Sequence, residues 1–180
     1  MIAAIVDEAH RGGRKVAAHA QNPRAILAAA HAGVHSIDHG SLIHHTAAAE
    51  LRARGIVLMP TLARLDFAVA NAQPATVEAL ERRRDIAFTN AKMAFTRGVR
   101  IVLGTNASVL PNRRNARELC ALVEIGMTPA QAVRAATIDA GELLGWKVGR
   151  IQRLLNSQFE CLVPRLVHTC QMKPDKSRRR

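Results

Sequence analysis

The chain has 180 residues, 48% of them hydrophobic and 3% aromatic, with a formal net charge of +12. That length can enclose one domain core. It falls short of the roughly 250 residues of a closed (β/α)8 barrel, and no apolar run approaches the roughly 20 residues of a membrane span.

In chain order, residues 2–12 predict an amphipathic helix with Ile2, Ile5, Val6 and Ala9 on one face, stopped by Gly12-Gly13. A strand over 14–19 follows, then an alanine-rich helix over 23–32, opened by Pro23 and ended by Gly33. Strand 34–38 leads to His39, a helix over about 45–54 closes at Gly55, and Ile56–Thr61 reads as a buried parallel strand. A loop is expected over 62–74, a long helix over about 75–97, and a fourth strand over 99–104. Helices near 113–125 and 129–144 complete the pattern, the second opened by the N-cap Thr128 and by Pro129.

Alternating strands and helices predict an α/β fold with parallel strands. Four such strands make half a barrel, and its exposed edges favour pairing with another chain, either a second copy or a separate N-terminal half-barrel. The composition changes after Arg150, so the chain is divided into an ordered unit, 1–150, and a basic, irregular tail, 151–180. Residues 150–180 hold eight Lys/Arg against two acids, half of the charge excess. Basic tails hold phosphates without specificity, so nucleic acid is a secondary expectation. Asp7 and Glu8 stand where a signal peptide carries positive charge, so a cytoplasmic location is expected. Cys120, Cys161 and Cys170 are odd in number without C-x-x-C spacing, and read as reduced thiols.

The chemistry gathers at strand ends. Val16-Ala17-Ala18-His19 and Ser36-Ile37-Asp38-His39 each carry a histidine, and Ile101-Val102-Leu103-Gly104-Thr105-Asn106 ends in an asparagine. Two strand-terminal imidazoles one βα unit apart sit on one rim of a parallel sheet, which is how barrel enzymes build metal sites. Asn106 differs in kind, because an amide takes no proton from water at neutral pH. Arg113 and Arg114 could face an acidic substrate group or form a solvated first turn. His10, His31, His35, His44 and His45 read as surface positions, and His168 with Cys161 and Cys170 fits no zinc module. Asp7-Glu8-Ala9-His10 spells a helicase tetrapeptide, but no G-x-x-x-x-G-K-[ST] phosphate loop accompanies it.

Several runs occur together and in order: Lys15–Ala20, Ala32–Gly40, Met59-Pro60-Thr61-Leu62, Gly98–Thr105, Arg114–Leu119 and Gly126–Thr137. Over about residues 1–150 this set resembles the C-terminal half of metal-dependent amidohydrolases, in the imidazolonepropionase-like and Xaa-Pro dipeptidase-like branch. The resemblance implies the last four βα units of a (β/α)8 barrel. It implies His19 and His39 as zinc ligands ending the fifth and sixth barrel strands, with position 106 closing the eighth. It also implies a small-molecule substrate, a dipeptide or cyclic amide, hydrolysed at a C–N bond by zinc-activated water.

Three departures count against activity in the isolated chain. Asn106 stands where the family has its proton-accepting aspartate. The first-strand histidine pair and the metal-bridging lysine would lie upstream of Met1. Beyond Ile151 the text diverges abruptly, as expected of a frameshifted or decayed frame. The expectation is therefore an amidohydrolase fragment. A non-catalytic half-barrel interaction protein, or nucleic-acid binding through the tail, remains the alternative.

Overall fold

In a computed structural model of the chain, residues 2–107, 109 and 114–146 are described. The expected basic tail and Arg113 lie outside the described residues. Three parallel strands form one sheet in the order β1 (Ala17–Ala20), β2 (Ser36–His39), β3 (Val57–Met59). Helix α1 (Ile2–Arg11) precedes β1, while α2 (Pro23–Ala32) and α3 (His45–Arg54) connect the strands. After β3 come α4 (Ala63–Ala70), α5 (Val77–Thr96), α6 (Arg117–Glu124), α7 (Pro129–Ala136) and α8 (Ile138–Leu144). The fold is α/β, and among the described residues no helix is long and apolar enough to cross a membrane.

Local chemistry sets most boundaries. Asn22 caps α2 by accepting from the Ala25 amide at 2.9 Å, with Pro23 in the first turn and Gly33 (φ 87) ending it. Thr128 and Gln131 cap α7 reciprocally, at 3.2 and 2.8 Å. Sheet and helices meet over a continuous apolar core that includes Ile26, Ile37, Ile43, Leu51, Leu58, Leu62, Leu122 and Ile125, each almost fully buried.

Four expectations need correction. The stretch 62–74 is not all loop, because it contains α4. The helix expected over 129–144 breaks at Thr137, whose hydroxyl donates back to the Val133 carbonyl at 2.8 Å. The strand expected over 99–104 reduces to one bridge, Leu58↔Ile101. Its far side already donates elsewhere, from the Leu103 amide to the Ala135 carbonyl of α7 at 3.1 Å. On α1 only Val6 is buried, while Ile2 and Ile5 are exposed.

At the N-terminal end of the sheet, α8 ties the structure together. Lys15 donates to the Glu142 and Leu143 carbonyls at 3.1 and 2.5 Å, a cation at a helix C-terminus, and Arg100 pairs with Glu142 at 2.6 Å. The opposite end carries the histidines.

Candidate functional site

His19 is the third residue of β1 and His39 the last of β2. The parallel register sets His19 beside Asp38 and Ala20 beside His39. Strand alternation would give His39 the same face as the fully buried Ile37. Instead His39 adopts φ 73, and its ring meets the His19 ring with centroids 4.5 Å apart and planes at 72°. Among the described residues, the non-glycine positions with positive φ are His39, Thr61 (φ 51) and Asn106 (φ 50). They lie at or just beyond the C-terminal ends of β2, of β3 and of the segment bridged at Ile101. Such backbones cost on the order of 1–3 kcal/mol each and gather at functional sites.

His39 is 7% exposed. Its Nδ1 lies 2.5 Å from the Thr61 hydroxyl, which also accepts from Arg64 Nε at 3.2 Å. A second Arg64 nitrogen donates to the Ser41 hydroxyl at 3.4 Å. Burial first, then Arg64 and then His19 push the His39 imidazole down to about 4, so the ring is neutral at physiological pH. The Gln21 amide nitrogen stands 3.2 Å from His19 Nε2 and, as a donor, engages the lone pair of that nitrogen. Asp38 is half-buried, and its Oδ1 has no hydrogen-bond partner among the described residues. Burial raises its carboxyl and His19 opposes the rise.

Glu118, on α6, is fully buried. Its two oxygens accept from the Leu62 and Ala63 amides, each at 2.7 Å, at the start of α4. Burial pushes this carboxyl up to about 7. The Ala63 and Leu62 amides and Arg64 hold it down, while Asp66 adds to the rise. Thr61, Arg64 and Glu118 were missed as site residues by sequence reasoning. A signal for Glu118 was available: Glu118, Ala121, Leu122 and Ile125 are all buried at helical spacing, so an acid interrupts an apolar stripe.

The structure brings His19 and His39 together. Asn106 stands at the same end of the sheet, with its carbonyl accepting from the Val109 amide at 2.9 Å. Arg114 lies over the Phe67 ring of α4, 5.6 Å from its centroid. His44 is exposed, as expected, and its Nδ1 caps α3 by accepting from the Ala47 amide at 3.1 Å. His10 and His35 meet edge to face at 5.1 Å, and His31 lies 3.3 Å from Glu50. Cys161, His168 and Cys170 lie outside the described residues.

The described residues thus form an α/β unit with two histidines meeting at the C-terminal rim of its parallel sheet. Residues 1–153 match the amidohydrolase family, and the chain belongs to it. It is 33% identical to an ochratoxinase of Aspergillus niger over 141 residues, 76% of this chain and 29% of that protein. It is 32% identical over 151 residues to an uncharacterized protein of Mycobacterium tuberculosis, covering 81% of this chain and 41% of the relative. The structure superposes on a Xaa-Pro dipeptidase crystallised with bound methionine at a TM-score of 0.76 and 29% identity, over 84% of this chain and 39% of that one. The crystal structure of the Aspergillus niger ochratoxinase gives a TM-score of 0.70 at 31% identity, over 82% and 33%. The chain therefore spans about two fifths or less of the length of these relatives.

A metal implied by the family can be tested against the donor set. Two imidazoles at one rim are suitable nitrogen donors, but among the described residues no group of three His, Cys, Asp or Glu converges. A catalytic zinc takes three protein ligands. Two imidazoles fall short of that number.

Proposed function

We propose that this chain carries the last four βα units of an amidohydrolase barrel, with His19 and His39 as its contribution to a zinc site. The substrate of the completed site is a small amide, a dipeptide or a cyclic amide, cleaved at its C–N bond. The observation that supports this best is the convergence of the two rings, 4.5 Å apart, where β1 and β2 end. Zinc bound there would polarise the amide carbonyl and acidify a water. The chain's own residues orient the two imidazoles and keep the His39 ring neutral. Asn106 holds the position of the family aspartate and offers an amide, which accepts no proton from water. On this reading the isolated chain does not hydrolyse amides, and the missing ligands come from residues outside those described.

The test is metal content and amide hydrolysis of the 180-residue chain, with Asn106→Asp, and with the N-terminal half of a related amidohydrolase supplied as a separate chain. Neither the chain nor Asn106→Asp alone should hold stoichiometric zinc or turn over. The two halves together should bind zinc in a manner lost in His19→Ala, and turnover should appear with Asn106→Asp in that mixture. Stoichiometric zinc and hydrolysis by Asn106→Asp alone would defeat the reading. The uncovered outer edge of β1, which has no strand partner among the described residues, is the pairing surface this reading assigns to the other half or to a second copy. Sedimentation showing a stable monomer at micromolar concentration would argue against that assignment.

A further inference from the structure

We infer that Glu118 is a positioning residue for His39, acting through the β3–α4 turn and the Thr61 hydroxyl. The chain of contacts is continuous. Both Glu118 oxygens accept from consecutive amides, Leu62 and Ala63, at 2.7 Å. Those amides immediately follow Thr61, whose backbone is left-handed at φ 51. A threonine does not hold that conformation by its own preference, so its surroundings must impose it. Leu62 caps α4 with no side-chain hydrogen bond of its own, and Glu118 supplies the acceptor from 55 residues further along the chain. The turn so fixed sets the Thr61 hydroxyl 2.5 Å from His39 Nδ1.

A hydrogen bond at one imidazole nitrogen decides which nitrogen carries the proton and where the ring points. Where Nδ1–H donates to Thr61, Nε2 keeps its lone pair. The use of that lone pair in hydrolysis rests on the function proposed above; the positioning does not, because it needs no metal. A glutamine at 118 replaces one of the two accepting oxygens with an NH2 group, which opposes the amide donor facing it. Two oxygens side by side are what the turn uses.

The test reads the ring nitrogens of His39 by 15N NMR in the metal-free 180-residue chain. The unsubstituted chain should show one neutral tautomer, with Nδ1 protonated. Glu118→Gln and Thr61→Val should each move both ring-nitrogen signals toward the average of the two tautomers. Leu122→Ala, a core truncation on the same helix, should lower the melting temperature and leave the His39 signals in place. In the unsubstituted chain, hydrogen exchange at the Leu62 and Ala63 amides should be slowed, which checks the first link even where Glu118→Gln does not fold. The inference is overturned if Glu118→Gln leaves the His39 nitrogens unmoved, if Leu122→Ala moves them equally, if Nδ1 proves unprotonated, or if the two amides exchange freely. A failed zinc assay would leave all of these readings intact.

Discussion

Replacing Glu118 with glutamine separates the charge of this side chain from its volume. The carboxyl is fully buried and pushed up to about 7 from an ordinary value of 4.5, chiefly by burial. Below about pH 4.5 both folded and unfolded chains hold the proton, and the group favours neither. As pH rises the unfolded chain ionises first, so the folded state loses stability until about pH 7, above which the loss is constant. At about 1.36 kcal/mol per pH unit, that window corresponds to about 3 kcal/mol. Glutamine does not ionise. The stability of Glu118→Gln relative to the unsubstituted chain should therefore rise by about 3 kcal/mol between pH 4 and pH 8, whatever its offset at pH 4. Urea unfolding at half-unit pH steps gives the difference curve, in which every other titrating group cancels to first order. A flat difference curve would mean that the two amides and Arg64 cancel the effect of burial, and one that falls with pH that they outweigh it and hold the carboxyl below its ordinary value.

Two further substitutions probe packing. A Cβ at Gly104 would sit 2.0 Å from Met59 Sδ and 2.4 Å from its Cγ, so Gly104→Ala should cost about 1–3 kcal/mol, recovered in part by adding Met59→Ala in a double-mutant cycle of urea unfolding. Arg84 links α4, α5 and α6 through Asp66 at 2.6 Å and Glu124 at 2.7 Å, with its guanidinium 3.9 Å above the Phe88 ring. Its side chain is 23% exposed, so Arg84→Gln should cost about 1–3 kcal/mol with little sensitivity to salt; a loss abolished by moderate salt would class these as screened surface pairs.

What was legible in the sequence was local. Pro23, Gly33, Gly55 and Thr128-Pro129 mark helix ends because caps and φ restrictions act within a few residues, and these boundaries match the structure to within a residue or two. The two strand-end histidines were legible for the same reason, since a β–α–β spacing brings consecutive strands side by side. The reading failed where the cause lies far along the chain. Helix α4 starts on amides satisfied by Glu118, 55 and 56 residues distant, so the text around 62–74 carries no cap to announce it. The fourth strand failed similarly, because the Leu103 amide donates to α7. Thr61 escaped notice because its value lies in a left-handed backbone that nothing in the Pro60-Thr61-Leu62 text requires.

His39 and Glu118 oppose each other in pH, and the opposition can be measured. The imidazole is pushed down to about 4 from an ordinary 6.5, so between these values the unfolded chain takes up a proton that the folded site refuses. Its contribution to stability is present above about pH 6.5 and is lost as pH falls to about 4, again about 3 kcal/mol. Glu118 loses a like amount in the opposite direction over nearly the same range. Between about pH 4.5 and 6.5 these two groups should leave the unsubstituted chain almost level, and each single substitution should expose the other's slope. His39→Asn should gain about 3 kcal/mol relative to the unsubstituted chain as pH is lowered from 7 to 4, the mirror image of Glu118→Gln. A His39→Asn curve parallel to that of the unsubstituted chain would show that the ring takes up its proton as easily folded as unfolded. The neutral, ligand-ready imidazole would then have to be abandoned. If both slopes appear, this end of the sheet carries two buried ionisable groups that each weaken the fold in one pH range. What they contribute is then the geometry they impose on the Thr61 turn and the His39 ring, since neither ionisation favours the folded state.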